Sequence, residues 1–420
     1  MEQMSISSQS AIQLVFGNPN QVTSPTLGDA LHSGQLALRT ISTADEARLL
    51  SGGSPRDILS NYTLKTEARG FCGACAFFDE DVSTVKRIND VFAFKIFSPV
   101  AQTPELINKA YIYNRLDQAG ISVPAFQVVN TSLELEAALS RIPDRSNLII
   151  KPGVGTGSLG VYRPADSDSA QLAAKAYGYL RLPDNLLNLR ALPEHEIILM
   201  DYVHWDGDPV EVNADGFVQG GNIKVLEIQE VLKIVEKPPF HDELMANPPI
   251  SDRVVERLDE IRSTVDRAIK ALRIENSVFH IELRLSARST FPIDFNFRPG
   301  GGLTTHTVYQ RSGVDLRLAN VLLSLEGDAA KIPAGVPKDI GCCIAGLHSN
   351  DVSTLNSGSI STLDSALRSD ASCFAYRIAS VLSNDFSLLE PINAWIGMSG
   401  ATSGSAKAKI DKFSLDFGFS

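Results

Sequence analysis

The sequence predicts a chain of mixed helices and strands in more than one domain, on three observations. A glycine-rich stretch, NLIIKPGVGTGSLGVY at 147–162, follows a short apolar run, as a strand entering a phosphate-holding loop does. Two strands of alternating polarity, within SVFHIELRLSARSTFPIDFNFRPGGG, come about 130 residues later. Amphipathic helices and further strands alternate around both.

With 420 residues the chain has room for about two to four domains and a cleft between them. Its 38 basic and 49 acidic side chains give a formal charge of −11. A protein that neutralises many nucleic-acid phosphates is excluded on that balance, and any anion site must be local. No run of about 18 or more apolar residues occurs, and the first 30 residues lack a basic segment followed by an apolar one. A soluble, cytoplasmic protein with no membrane partner is expected. Five cysteines fit reduced thiols better than a disulfide framework. Cys72 and Cys75 form a CxxC in FCGACAFF, but no second pair completes a zinc site, so they read as small buried core residues.

Along the chain, AIQLVFGNP reads as a strand ending in a turn, and the rest of the first hundred residues has no clear period. PELINKAYIYNRLDQAG has helical spacing at Leu106, Ala110, Tyr113, Leu116 and Ala119 and closes at Gly120. A strand in ISVPAFQVV, a short helix over 132–142 and a helix in SDSAQLAAKAYGYL follow. EIILMDYV at 196–203 is a strand, with a turn at Asp206-Gly207 and alternating strands to Lys237. EKPPFHDELMANPPI, rich in proline, reads as a loop. SDRVVERLDEIRSTVDRAIKAL reads as one amphipathic helix with Val254, Leu258, Ile261, Val265, Ile269 and Leu272 on a stripe. From about 326 the composition shifts to Ser, Gly, Ala and Thr, with loop-like tracts SNDVSTLNSGSIST and GMSGATSGSAKAK, as in a smaller C-terminal module.

Residue order separates three readings of the glycine loop. A P-loop needs its lysine after the glycines, and here Lys151 precedes them. Gly155, Gly157 and Gly160 match a dinucleotide fingerprint literally, yet Val161-Tyr162 continues as strand where that motif starts a helix. The third reading is a glycine-rich hairpin between strands, with Lys151 pointing at phosphates and the amides around Ser158 closing over them. A solvated surface hairpin is the alternative.

The later stretch separates these. Phe279, Ile281, Leu283 and Leu285 alternate with His280, Glu282 and Arg284; Ile293, Phe295 and Phe297 alternate with Asp294, Asn296 and Arg298. A hairpin closed by SARST would put Glu282, Asp294, Asn296 and Arg298 on one face. Two carboxylates and an amide are hard oxygen ligands suited to Mg²⁺ shared with phosphates, and Arg298 would stand beside them as a cation for developing negative charge. An ordinary amphipathic hairpin does not explain the Arg-Pro-Gly-Gly-Gly that follows.

At these residues the sequence resembles the ATP-grasp superfamily, most closely its L-amino-acid ligases. The resemblance covers about 105–310, through LINKAYIYNRLDQAGISVP, LIIKPGVGTGSLGV, IILMDYV with GDPVEV, HIELR and IDFNFRPGGG. It implies an ATP-grasp fold, two α+β subdomains clamping ATP, preceded by a small Rossmann-like α/β domain. The divisions expected are 1–105 for that domain, 106–198 for the subdomain with the glycine-rich flap, 199–325 for the subdomain with the metal and substrate site, and 326–420 for a small C-terminal module. Lys109 and Lys151 would contact ATP, Gly155, Gly157 and Ser158 would cover its phosphates, and Met200, Asp201, Tyr202 and Val203 would hold the adenine edge, with Glu211 in the same nucleotide site. Glu282, Asp294 and Asn296 would bind two Mg²⁺, for which Mn²⁺ can substitute. Asp294 departs from the more usual glutamate, and Met200-Asp201 replaces two glutamates.

The implied activity joins a carboxylate, activated as an acyl-phosphate, to an amine, with release of ADP and phosphate. Lys151 and Arg298 would be catalytic. Arg298, Gly300, Gly301, Gly302, Thr304 and His280 would meet the substrate, and Thr305, His306 and His241 are further pocket candidates. The expected partners are small carboxylates and amines, amino acids first, with no nucleic acid and with room for a homodimer. The rivals are a ligase or carboxylase for bicarbonate or a purine-pathway intermediate, a nucleotide-binding regulator without turnover, and a nicotinamide-dependent dehydrogenase.

Overall fold

A computed structural model describes residues 11–16, 36–40, 71–77, 85, 99, 103–142, 144–155, 158, 160–163, 176, 196–236, 241–348, 357–378 and 392–417. Strands β1 (Ala11–Phe16), β2 (Leu36–Thr40) and β3 (Phe71–Ala76) form a parallel sheet of order β2-β1-β3. Parallel neighbours need crossover connections, which is the α/β signature expected of this part. Cys75 is fully buried on β3, as a small core residue; the Cys72 side chain lies outside the described residues.

The next elements are α1 (Lys109–Gln118), β4 (Phe126–Val129), α2 (Ser132–Arg141), β5 (Leu148–Pro152) and β6 (Ile197–Asp201). The three strands make an antiparallel sheet of order β4-β6-β5. Asn108 caps α1, accepting from the amides of Ala110 at 2.8 Å and Tyr111 at 3.2 Å. The helix expected from Pro104 is thereby split, because Pro104–Ile107 is a 3₁₀ turn and α1 starts afresh after this cap. Tyr162 exchanges both backbone hydrogen bonds with Ile150 at 2.8 Å, so the chain does return beside β5 after the glycine loop. The helix read in SDSAQLAAKAYGYL lies outside the described residues, Ala176 apart.

The large body follows with β7 (Glu211–Gln219), β8 (Asn222–Val235), β9 (His241–Asn247), α3 (Leu258–Ala271), β10 (Ser277–Leu285), β11 (Thr290–Asn296), α4 (Thr304–Ser312), α5 (Leu316–Glu326), β12 (Gly341–His348), α6 (Ser357–Ser369), β13 (Cys373–Ile378), β14 (Ile392–Gly400) and α7 (Ser403–Phe417). Eight of these strands form one sheet, β11-β10-β7-β8-β9-β12-β14-β13. Residues beyond 326 therefore extend the same sheet by three strands.

Three expectations are corrected here. His241–Asn247, read as loop, is an inner strand: its prolines lie at either end, and the ladders to β8 and β12 absorb its polar backbone. The two small-residue tracts read as loops supply parts of α6, β14 and α7, where glycine and alanine permit close packing. The long amphipathic helix breaks at Arg257 into a single turn, Asp252–Val255, and α3, although Val254, Ile261, Val265 and Ile269 are buried as the stripe requires.

One face of the large sheet is greasy. Val212, Ala214, Phe279, Ile281, Leu283, Leu285, Phe295 and Phe297 pack against Ile261, Val265 and Ile269 of α3 and against Ile112 and Leu116 of α1. Each such side chain contributes roughly 1.5–3 kcal/mol through burial. By strand alternation the polar residues between them project from the opposite face, which looks toward the β4-β6-β5 sheet. No helix among the described residues is long and apolar enough to cross a membrane.

Candidate active site

Pairing of β10 with both neighbours builds the site. Glu282 lies opposite Asp294, and His280 opposite Asn296. On the other side Arg284 faces Glu211, Glu282 faces Asn213 and His280 faces Asp215. Leu283 then pairs with Pro292, leaving Ile293 as the extra residue of a β-bulge. Its carbonyl is turned out of the ladder and accepts from Lys151 Nζ at 2.8 Å and from the Tyr113 hydroxyl at 2.5 Å.

Two lysines from separate elements reach this face. Lys109, the first residue of α1, sets its ammonium 3.1 Å from Asp294 Oδ1 and donates to Gly155 O at 3.1 Å. Lys151, on β5, is buried and also donates to Tyr113 Oη at 2.7 Å. Burial lowers the Lys151 pKa to about 8, with Lys109 adding to the effect against the pull of Asp294 and Glu282. Burial raises the Glu282 pKa to about 8, reinforced by the Asp294 and Glu211 charges. Burial acts on Asp294 too, but Lys109 and Lys151 overcome it and hold this carboxyl below its ordinary value.

Glu282 loses its proton beside Asp294 readily only when further positive charge arrives, which a divalent cation would supply. Among the described residues no cluster of three or more histidine, cysteine, aspartate or glutamate side chains is arranged to hold a metal. A cation here would need Asn296 and ligand oxygens to complete its shell. The donor chemistry fits Mg²⁺, which keeps few protein ligands and shares phosphates.

Arg298 donates to Asn296 Oδ1 at 3.0 Å and to Pro299 O at 3.1 Å, which fixes it at the mouth of the glycine turn. Gly300 is pressed against His280 and Thr304: a Cβ there would lie 2.8 Å from His280 Nδ1 and 2.4 Å from Thr304 Oγ1. Thr304 donates to Gly301 O at 2.8 Å and closes the turn. His280 Nδ1 is 2.9 Å from Asp215 Oδ1. Burial would discharge this imidazole, but Asp215 outweighs it and raises the pKa to about 9. The chain continues: Gln229 donates to Asp215 Oδ2 at 2.8 Å, and Thr307 donates to Gln229 Oε1 at 2.7 Å.

At the other end, Met200 is buried on β6 and the Asp201 side chain is exposed. The amides of Asp201 and Tyr202 donate to Ala125 O at 2.9 Å and Asn147 O at 2.8 Å. The Tyr202 hydroxyl donates to Glu236, and burial raises its pKa to about 12. Val203 is half-buried beside it. Arg163 pairs with Glu236 at 2.7 Å and lies 3.9 Å from the Tyr202 ring centroid; Arg284 pairs with Glu211 and reaches Glu236 at 3.4 Å.

Lys109, Lys151, Gly155, Glu211, His280, Glu282, Asp294, Asn296, Arg298, Gly300, Gly301, Gly302 and Thr304 are thus brought together by β10, β11 and the elements facing them. Ser158 is exposed at φ 55°, and Gly157 and the His241 side chain lie outside the described residues. Thr305 Oγ1 and His306 Nδ1 are buried without a hydrogen-bond partner among the described residues, and burial lowers the His306 pKa to about 4. Sequence reasoning missed Tyr113, Asn213, Asp215, Gln229, Glu236 and Asp242. The alternation of Glu211, Asn213 and Asp215 in EVNAD was the signal available for the β7 members. Asp242 lies 3.5 Å from Asn213 Nδ2; burial and the Glu211 charge raise its pKa to about 7.

Residues 144–307 match the ATP-grasp domain family. No curated protein matches the chain. Among solved structures, the L-amino acid ligase from Bacillus licheniformis is similar with a TM-score of 0.72 and 14% identity, over 99% of this chain and 98% of that one. The biotin carboxylase domain of Hydrogenobacter thermophilus 2-oxoglutarate carboxylase gives 0.68 and 12%, over 98% and 91%. Carboxyaminoimidazole ribonucleotide synthase from Aspergillus clavatus, complexed with ATP, gives 0.64 and 14%, over 97% and 98%. The fold of the chain is the ATP-grasp fold.

Proposed function

We propose that the protein is an ATP-dependent carboxylate–amine ligase whose substrates are L-amino acids, joined into a dipeptide or a dipeptide-like metabolite. One observation carries the reading: two lysines from α1 and β5 and two carboxylates from β10 and β11 converge on one face, with Arg298 and three glycines at its end. Glu282, Asp294 and Asn296 would hold Mg²⁺, which when bound supplies charge neutralisation on the phosphates. Gly155 and the loop around Ser158 would cover the phosphates, and the backbone from Met200 to Val203 would meet the adenine edge. Because the Asp201 and Tyr202 amides are already engaged, that edge would find the Asp201 carbonyl and the Val203 amide.

In the first step a substrate carboxylate oxygen attacks the γ-phosphorus, the bond to the β-phosphate oxygen breaks and ADP leaves. Lys109 and Lys151 offset the charge that develops. In the second step the amine attacks the acyl carbon, phosphate leaves and the nitrogen loses a proton. Arg298 and the Gly300–Gly302 amides stabilise the oxyanion between these events. No side-chain nucleophile is required.

The test is incubation with ATP, Mg²⁺ and pooled amino acids, following phosphate release and product masses. A mass equal to two amino acids minus water is the expected result. Phosphate release stimulated by bicarbonate but by no amino acid would overturn the amino-acid assignment, and ATP binding without turnover would overturn the ligase.

A further inference from the structure

The face that carries Glu282 and Asp294 continues past them across the large sheet, and its chemistry changes on the way. Asn213, opposite Glu282, sets its amide nitrogen 3.5 Å from Met245 Sδ. Met245 faces Val231 on one side and Ile344 on the other, and Ile344 faces Gly397, two residues from Trp395. Facing positions and alternate residues of a strand share a face. The order along it is therefore carboxylates, then neutral amides, then aliphatic and aromatic groups.

The apolar end is only partly covered. Val231, Met245, Leu303 and Ile344 are buried, whereas Ile234, Phe374 and Trp395, packed on them, keep exposed surface. The turn that leaves β11 at Arg298 crosses back over this region: a Cβ on Gly302 would lie 3.1 Å from the Trp395 indole. One van der Waals contact thus separates the proposed carboxylate turn from the aromatic wall. In the amide zone, Asn213 Oδ1 and Asn247 Oδ1, both on residues 1% exposed, have no hydrogen-bond partner among the described residues. Buried acceptors left unpaired are costly, so a further charge is not favoured in this zone.

Resting on the ligase reading above, we propose that this face receives an α-amino acid with a large apolar side chain, its carboxylate at Arg298 and the Gly300–Gly302 turn, and that Trp395 sets the size of side chain accepted. A charged side chain laid on Trp395 and Phe374 would lose its hydration without compensation, so it is rejected. Strand β14 then has a functional role in addition to closing the sheet.

The test uses the full-length protein with ATP and Mg²⁺. Phosphate release and products are measured with leucine, methionine and phenylalanine against glycine, serine, aspartate and lysine, in pairwise mixtures. The apolar acids are expected to show the lowest KM. Trp395→Ala should raise that KM about tenfold or more with kcat nearly kept, since Trp395 touches the side chain and not the reacting atoms. Trp395→Phe should fall between, which guards against a folding defect. In a Trp205→Phe background Trp395 is the only tryptophan of the chain. Its emission should then change saturably with leucine in the presence of a non-hydrolysable ATP analogue. Preference for charged acids, or unchanged kinetics in Trp395→Ala with emission blind to leucine, overturns this inference and leaves the ligase standing. A saturable emission change without phosphate release for any acid overturns the ligase and leaves the apolar site standing.

Discussion

The Lys109 ammonium lies 3.1 Å from Asp294 Oδ1 and so ties the start of α1 to β11 across the site. Each partner has a second use in the proposed reaction, the lysine on phosphate and the carboxylate on metal. Asp294→Asn should therefore split two measurements. ATP affinity in EDTA should rise about tenfold, because Lys109 is freed for phosphate, while Mg²⁺-dependent phosphate release should fall by about a hundredfold or more. Calorimetry and a phosphate assay read the two. Turnover equal to wild type would remove Asp294 from the metal site.

Lys151 gives the pH dependence. Burial first, with Lys109 behind it, sets its pKa at about 8 in the free protein, below the ordinary 10.5. Bound phosphate would raise it again, so binding above pH 8 must take up a proton. ATP affinity should be flat below about pH 8 and fall by up to tenfold per unit above it. Calorimetry in EDTA at pH 8.5, in buffers of different ionisation enthalpy, should give net proton uptake, to which the neighbouring Glu282 adds. In Lys151→Met the uptake should be smaller and the affinity lower at all pH values.

Much of this site is legible in the residues themselves, because period-2 alternation fixes which side chains of 277–298 share a face whatever surrounds them. Glu282 opposite Asp294 needed only the hairpin register. What alternation could not say is how deep the polar face lies: His280 and Arg284 are 6% and 9% exposed, the first against the Gly300 turn and the second beside the Tyr202 ring. Nor could it find Tyr113, whose helical spacing reads as core and whose hydroxyl contacts a carbonyl 180 residues away. The strand at His241–Asn247 was hidden because its partners, β8 and β12, are set by long-range pairing, while its flanking prolines are local signals.

Adjacent glycines of the substrate turn should behave oppositely. A methyl at Gly300 would meet His280 Nδ1 at 2.8 Å and Thr304 Oγ1 at 2.4 Å, both held by their own hydrogen bonds, whereas one at Gly301 meets nothing within 4 Å. Gly300→Ala should cost about 1–3 kcal/mol of stability and most of the activity. Gly301→Ala should unfold within about 0.5 kcal/mol of wild type. Urea denaturation of both checks the contrast, and equal midpoints would mean the turn relaxes freely.

Asp215 is completely buried and holds His280 on one oxygen and Gln229 on the other. Replacing it with asparagine keeps the shape but removes the charge that stabilises the imidazolium. About 2–5 kcal/mol of stability should be lost at neutral pH, the usual consequence of removing one partner of a buried ion pair. Thr307→Val, at the far end of the same chain, removes a hydroxyl that donates to Gln229 and Thr304 O and accepts from Asn247, all neutral partners, and should cost about 1–2 kcal/mol. A denaturation midpoint for Thr307→Val at or below that of Asp215→Asn would refute the ranking.

Glu236 gathers Arg163, the Tyr202 hydroxyl and Arg284. Arg163 follows the glycine loop, Tyr202 follows β6 and Arg284 belongs to β10, so this carboxylate helps fasten the loop to the body of the protein. Its neutral variant Glu236→Gln keeps hydrogen-bonding capacity and loses the charge. The loop should then open more often, raising KM for ATP about 5- to 20-fold with a smaller change in kcat, since none of these groups touches the reacting atoms. Limited proteolysis between Pro152 and Tyr162 should quicken in parallel and slow again with ATP present. Unchanged cleavage together with an unchanged KM would show that the bonds to Ile150, Ser146 and Lys109 hold the loop without Glu236.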